Sequence, residues 1–212
     1  MAEAGRNPLA GRSVLLGVSG GIAAYKAAVL ARLLVRAGAA VQAVLTPTAT
    51  RFVGPATFAA LTGRPARSDV MEEPERVVHV RMAREADLAI VAPATANVLA
   101  RLALGLADDL LTSTLLEARC PLVLAPAMHS GMLEHPATRA HLDTLAARGA
   151  VVVGPVTGPL AAGDEGPGRM SEPEEILAAA EAVLGGPARG DLASRTVLVT
   201  SGPTHEPIDP VR

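Results

Sequence analysis

Short apolar runs alternate with amphipathic stretches along most of the chain. The apolar runs are typical of buried strands and lie at residues 14–18, 41–45, 88–91, 122–124 and 151–153. The amphipathic stretches predict helices at residues 22–37, 51–61, 98–118 (interrupted near Gly105), 137–148 and 172–184. Gly38, Gly63 and Gly149 follow three of these stretches and mark helix ends. The alternation predicts an α/β fold built on a doubly wound parallel sheet.

Stretches rich in glycine and proline divide the chain into regions. Residues 1–184 carry the alternating pattern and predict one domain, and residues 185–195 predict a linker. Residues 196–212 hold a single apolar strand and a turn, which predicts the beginning of an incomplete second domain. Residues 155–170 are too long for a simple turn and predict a lid or binding loop. Ser171, with Glu174 three residues later, predicts a capping box for the last helix.

Composition and charge exclude several classes of protein. Half of the residues are apolar and almost none are aromatic, so the core must be aliphatic. The net charge of −2 offers no basic surface to a nucleic acid or an anionic membrane. Cys120 is the only cysteine, which excludes a disulfide framework or a cysteine metal cluster within one chain, and we expect no metal. Residues 1–12 contain no leader, and no apolar run reaches membrane-spanning length, so we expect a cytoplasmic protein.

Candidate binding segments follow the predicted strands, because ligands of such sheets bind outside the carboxyl ends of the strands. Ser19-Gly20-Gly21 puts two glycines at a helix start, where free N–H groups favour a phosphate; a tight turn explains the pattern equally well. Segment 93–97 has small residues on which a flat ring can lie, but Thr95 could equally be a helix N-cap.

Two histidines are candidates for chemistry. His129 follows the fourth strand and could anchor an anionic group, although a solvent-facing loop histidine is the more common case. His79 lies in an apolar setting, where most histidines are structural; a functional role would be that of a base near neutral pH.

Taken together, these segments resemble the homo-oligomeric flavin-containing cysteine decarboxylases. Residues 17–26 resemble the flavin phosphate loop of that family, and residues 92–97 resemble its Pro-Ala-Ser-Ala-Asn-Thr box. Residues 126–132 resemble its Pro-x-Met-Asn-x-x-Met-Trp box, and residues 163–170 resemble its substrate flap. The resemblance covers about residues 12–183, and residues 196–212 resemble the opening of a ligase domain that some members carry.

The resemblance implies a fold, a cofactor and a reaction. The fold is a Rossmann-like flavoprotein, and the reaction is the FMN-dependent decarboxylation of 4′-phosphopantothenoylcysteine to 4′-phosphopantetheine in coenzyme A biosynthesis, which makes the chain a carboxy-lyase. A homotrimer is implied, with FMN between subunits, and possibly a dodecamer. Ligase activity is expected only of a chain that continues past Arg212.

The resemblance also assigns the site residues. His79 is the catalytic base. The FMN contacts are Ser19, Gly20, Gly21, Ile22, Thr46, Phe52, Pro93, Ala94, Thr95 and Ala96. The substrate contacts are Asn97, Met128, His129, Met132, Ala162, Gly163, Asp164 and Arg169.

Three positions depart from the family pattern. His129 stands where the family has an Asn that holds the substrate carboxylate, and Leu133 replaces a Trp. Ala162 replaces a flap cysteine associated with the final reduction and protonation, so Asp164 or a water would have to supply the proton. Two alternatives therefore stay open. One is a peptidyl-cysteine decarboxylase that stops at an enethiol, and the other is a non-catalytic, FMN-binding regulatory subunit.

Overall fold

A five-stranded parallel sheet forms the centre of the molecule. In the computed structural model, residues 7–72 and 77–185 are described. The strands are Ser13–Val18 (β1), Ala40–Leu45 (β2), Leu88–Ala94 (β3), Leu122–Pro126 (β4), Val151–Val152 (β5), Val156–Pro159 (β6) and Glu165–Arg169 (β7). The first five pair in the order β2-β1-β3-β4-β5, and β6 and β7 form a separate antiparallel hairpin. The predicted doubly wound parallel sheet is confirmed.

Helices cover both faces of the sheet. They are Ala24–Arg36 (α1), Pro55–Thr62 (α2), Val78–Glu85 (α3), Ala96–Leu104 (α4), Leu110–Glu117 (α5), Ser130–Glu134 (α6), Pro136–Ala147 (α7) and Pro173–Gly185 (α8). Helices α1, α2 and α8 pack on one face, and α3, α5, α4 and α7 pack on the other. Alternate residues of β1 point to opposite faces, so Leu16 packs under α1 while Leu15 packs against α3 and α5.

Several helix bounds differ from the predicted ones. The stretch 51–61 is wrong as one helix, because residues Ala49–Arg51 form a short 3-10 turn and α2 begins only at Pro55. The stretch 98–118 is two helices, divided where Gly105 adopts a left-handed conformation with φ of 72°. Glycine ends α2 as predicted, since Gly63 has φ of 69°.

Three features were not predicted, and one cap was misplaced. Helix α3, which carries His79, was missed, and so were the short helix α6 and the hairpin inside the predicted loop 155–170. The capping box on Ser171 is wrong by one residue: α8 begins at Pro173, and the backbone N–H of Glu172 donates to the side chain of Glu175.

The predicted boundary of the first domain nearly matches the end of the last helix. Helix α8 includes Gly185, which the sequence pattern assigned to the linker. The rest of the predicted linker and the predicted second-domain strand at residues 196–212 lie outside the described residues. No helix in the described part of the chain is long and apolar enough to cross a membrane.

Candidate active site

A crevice lies at the carboxyl ends of the strands, beside the point where the strand order reverses between β1 and β3. It consists of two adjoining cavities of about 650 and 380 Å³, which share Ala127 and Met128 in their walls. Volumes of this size are typical of sites that bind small molecules and cofactors.

The hydroxyl of Ser19 connects two loops of the crevice. This residue is fully buried, and its Oγ donates to the carbonyl oxygen of Pro93 at 2.7 Å. The same Oγ accepts from the backbone N–H of Thr95 at 3.0 Å. The hydroxyl thus forms its hydrogen bonds with Pro93 and Thr95 inside the protein. Ser19 therefore holds the loops in place and does not face a ligand.

Gly20 sits where no side chain fits. A Cβ built on it would lie 2.5 Å from Cγ2 of Thr48 and 2.9 Å from the Thr48 backbone carbonyl carbon. Gly20 and Thr48 both line the larger cavity, so the close approach of their loops forms one of its walls.

The start of α1 is open to an anion. Its N-cap residue is Ala23, which provides no side-chain cap, and the first turn holds no acidic residue. Gly21 and Ile22, just before this helix, line the smaller cavity. Backbone N–H groups and the helix dipole at such a terminus favour a phosphate.

The flap hairpin, defined as β6, β7 and their turn at residues 160–164, covers the smaller cavity. It is fixed at its base, where the backbone N–H of Met128 donates to the carbonyl oxygen of Gly168 at 2.9 Å. The hydroxyl of Ser130 donates to the carbonyl oxygen of Pro167 at 2.7 Å. At its tip, the carboxylate of Asp164 lies 2.9 Å from Nε2 of His129. The hairpin thus joins the loop after β4 at both ends.

A buried lysine anchors the chain that leaves the flap hairpin. Nζ of Lys26 donates to the carbonyl oxygen of Met170 at 3.1 Å and to Glu172 at 3.0 Å. Glu172 also accepts from Arg169. The hydrogen bond from Lys26 is the main reason that the pKa of Glu172 is lowered, with the charges of Lys26 and Arg169 adding to it. Lys26 and Arg169 bring positive charge to the smaller cavity.

The structure brings most of the predicted site residues to this crevice. The larger cavity is lined by Gly20, Thr46, Thr95, Ala96, Asn97, Met128 and Met132. The smaller cavity is lined by Gly21, Ile22, Met128, His129 and Arg169.

Other predicted residues lie elsewhere. Pro93 and Ala94 are buried within β3, and Phe52 is exposed outside both cavities. Ala162 and Gly163 lie at the exposed tip of the flap hairpin and line neither cavity.

His79 also lies apart from the walls of both cavities. It is half-buried at the start of α3, and its Nδ1 atom is buried without a hydrogen-bond partner among residues 7–72 and 77–185. One chain therefore does not bring its own predicted base to the crevice.

Sequence reasoning left some wall residues out of the predicted site. Thr48, Tyr25 and Lys26 line the crevice, although none of the three was among the predicted contacts. Tyr25 and Lys26 follow the glycine turn by one turn of helix, a spacing that could have identified them.

Comparison with known proteins agrees with this geometry. The Flavoprotein family model matches residues 3–185. The chain belongs to the Flavoprotein family. A flavin is accordingly the cofactor of this flavoprotein. The resemblance inferred from the sequence is confirmed at this level.

Curated relatives and solved structures show which flavoproteins this chain is similar to. It is 53% identical over 203 residues to the coenzyme A biosynthesis bifunctional protein CoaBC of Mycobacterium tuberculosis. The matched region covers 95% of this chain and 49% of the relative. The chain thus spans about half the length of the curated relatives it matches.

Two solved structures resemble it over most of their length. The FMN-dependent cysteine decarboxylase SpaF is 34% identical, with a TM-score of 0.72 over 83% of this chain and 97% of that one. A PPC decarboxylase mutant in which serine replaces a cysteine, complexed with pantothenoylaminoethenethiol, is 32% identical, with a TM-score of 0.74 over 80% and 96%.

Proposed function

We propose that this chain catalyses the FMN-dependent decarboxylation of 4′-phosphopantothenoylcysteine to 4′-phosphopantetheine, a cytoplasmic step of coenzyme A biosynthesis. The observation that carries the proposal is the crevice itself, with a phosphate site at the start of α1 beside a cavity closed by the flap hairpin. Similarity to CoaBC proteins and to PPC decarboxylase supports the choice of substrate.

The residues of the crevice fit FMN. The uncapped start of α1, with Gly20 and Gly21 before it, would hold the phosphate. The wall formed by Thr95 and Ala96 would lie against the flavin ring, and its position is set by the bond of Ser19 to Thr95. When bound, FMN supplies the two-electron chemistry that the side chains lack.

The smaller cavity would hold the reacting end of the substrate. His129 in its protonated form would bind the carboxylate, and Lys26 and Arg169 add positive charge to the same wall. The flap hairpin would exclude water, and Met128 would separate the substrate from the ring wall. A base must remove the thiol proton as the carbon beside sulfur is oxidised, and we assign this role to His79.

His79 would reach the crevice of a neighbouring subunit. Its position outside both cavities of its own chain supports this arrangement, as does the exposed apolar surface beside it at Val77. We therefore propose a homotrimer, which would be the unit of a dodecamer in a fused enzyme. Mixing His79→Asn subunits with His129→Asn subunits tests the idea, with 4′-phosphopantetheine as the product measured. Hybrid trimers contain some complete crevices and regain formation of 4′-phosphopantetheine, whereas a base acting within its own chain leaves the mixture without this product.

Mass spectrometry of the product tests the reaction. The flavin-loaded protein is incubated with 4′-phosphopantothenoylcysteine, and we expect a product lighter by carbon dioxide alone. A product lighter by carbon dioxide and two more hydrogens would be the enethiol. No loss of carbon dioxide would contradict the proposal.

A second candidate is a peptidyl-cysteine decarboxylase that stops at the enethiol. Ala162 on the flap favours it, since alanine carries no acid proton, and so does the likeness to the cysteine decarboxylase SpaF. Incubation with a peptide ending in cysteine separates the two, because only this candidate converts the peptide. A third candidate, a non-catalytic flavin-binding subunit, requires that His79→Asn change neither flavin binding nor the role in the cell.

A further inference from the structure

One ion pair links the loop of His129 to the flap tip that carries Ala162, two positions that depart from the family pattern. His129 and Ala162 lie on different loops, but Asp164, two residues after Ala162, pairs with His129 across the mouth of the smaller cavity. We propose that the Asp164–His129 pair is the acid that protonates the substrate carbon after carbon dioxide leaves, a role that Ala162 cannot fill. This inference rests on the proposed function.

The geometry of the histidine suits an acid held by a carboxylate. Its Nε2 lies 2.9 Å from Oδ2 of Asp164, and Nδ1 has no hydrogen-bond partner among the described residues. A carboxylate on one ring nitrogen fixes the orientation of the ring and stabilises its protonated form. The other nitrogen is then free to donate to a ligand in the cavity.

Other groups in the cavity wall are less suited to donate. Lys26 is almost fully buried, and its ammonium is already engaged with Met170 and Glu172. Arg169 already donates to Glu172. Tyr25 has a phenol proton, but it lies on the exposed surface of α1. His129 is the lining group that a carboxylate holds through one ring nitrogen while the other nitrogen has no hydrogen-bond partner among the described residues.

The position of the carboxylate explains why this histidine would act. If His129 holds the carboxylate before the reaction, its N–H faces the carbon that this carboxylate leaves. Loss of carbon dioxide puts an electron pair on that carbon, shared with sulfur as an enethiolate. The C=C pair takes up the Nδ1 proton to form the new C–H bond, and a lone pair of sulfur makes C=S. Bound reduced FMN would supply the hydride that converts the C=S carbon to the saturated thiolate, and water reprotonates His129.

The ratio of enethiol to saturated thiol is the measurement that tests the pair. With wild-type flavin-loaded protein and 4′-phosphopantothenoylcysteine, we expect the saturated thiol. In His129→Asn, formation of the saturated thiol falls by about 10²- to 10⁴-fold, and the carbon dioxide still released ends in enethiol. In Asp164→Asn, which keeps the imidazole, the fall is about 10- to 100-fold. His141→Asn and Asp143→Asn, on α7, are the matched controls.

One further variant decides whether the lost group is the acid. In the background of His129→Asn, Ala162→Cys returns a thiol acid to the flap and should restore the saturated thiol. Failure of the cysteine to restore it would overturn the proposal.

A measurement without turnover checks the pair itself. Hydrogen exchange of the flavin-free protein follows the flap-tip amides of Leu160 and Gly163, which donate to Asp164 and Leu160 at 2.8 and 3.1 Å. We expect both His129→Asn and Asp164→Asn to speed this exchange by up to about fivefold, the range of one exposed ion pair. Unchanged exchange rates in both variants would show that the Asp164–His129 pair does not form.

Failure of this inference is distinguishable from failure of the proposed function. Saturated thiol in equal yield from wild type and His129→Asn removes the acid role and leaves the decarboxylase in place. Enethiol from wild type also removes it, and favours the peptidyl-cysteine decarboxylase. If the wild type releases no carbon dioxide, both the acid role of the pair and the proposed decarboxylase function are contradicted.

Discussion

The Ser19 hydroxyl lies 2.7 Å from the carbonyl oxygen of Pro93 and joins the ends of two neighbouring strands. Ser19→Ala would leave the backbone N–H of Thr95 without its partner in a buried place, and would leave the carbonyl oxygen of Pro93 only the longer bond from the backbone N–H of residue 19 at 3.4 Å. We expect a loss of about 1–3 kcal/mol in the free energy of unfolding and weaker FMN binding. Denaturant unfolding and flavin titration measure the two effects.

Ser113→Ala is the control for this change. The Ser113 hydroxyl donates to the carbonyl oxygen of Ala107 at 3.2 Å in an exposed place, where a water molecule can take over as the donor. Equal effects of the two substitutions would contradict the role given to Ser19.

The two glycines of the first loop should respond differently to alanine. At Gly20 the new methyl group would meet Thr48 at 2.5 Å, whereas at Gly21 its nearest neighbour is Cγ2 of Thr95 at 3.6 Å. Neither glycine has a positive φ, so the difference is steric. We expect Gly20→Ala to lower the free energy of unfolding by about 1–3 kcal/mol and to widen the FMN site. Thermal unfolding of both variants checks this, and Gly21→Ala should stay close to wild type.

Lys26→Met should destabilise the protein more at neutral than at acidic pH. The substitution removes a donor from the carbonyl oxygen of Met170 at every pH, at a cost of about 1–3 kcal/mol. It also removes the main cause of the lowered pKa of Glu172. A lowered pKa in the folded state adds stability above the ordinary glutamate pKa, and this is lost as pH falls through the folded value. Urea unfolding at pH 7 and pH 3.5 should therefore show a smaller difference between wild type and variant at the lower pH. Glu172→Gln, which keeps the bond from Lys26 to Met170, should show only the pH-dependent part.

Cys120 should not replace the missing flap cysteine. It lies just before β4, in a groove at the amino end of the sheet, opposite the crevice. Burial raises the pKa of its thiol, and the charge of Asp87 adds to this, so the thiol stays protonated at neutral pH. We expect slow reaction with a thiol-specific reagent at pH 7.5 and fast reaction in urea. Cys120→Ala should give the same product at the same rate as wild type.

The central sheet could be predicted because its strands are buried on both faces. Runs such as 14–18 and 88–91 then contain no polar residue, and they lie within β1 and β3. The parallel direction of the strands places the loops after them at one edge, so the crevice followed from the order of elements alone.

Helix α3 and the flap hairpin could not be predicted, because distant parts of the chain stabilise them. Val77, Val78 and Val80 favour a strand by local preference, and packing of Val78 and Met82 against α5 makes the segment helical. The flap hairpin contains few residues that favour strands, and it depends on its hydrogen bonds with Met128 and Ser130. The position of His79 could not be predicted for the same reason, because this residue lies in α3.

The two ends of the flap hairpin leave different room for side chains. At its base, Gly168 has φ of 137° and lies against the carbonyl of Met128, so this position admits glycine alone. At its tip, Ala162 is exposed and lines neither cavity. Mutation can therefore exchange the reactive groups of the tip without disturbing the scaffold beneath it. A lineage that lost its flap cysteine would have kept its fold long enough for another acid to arise across the cavity.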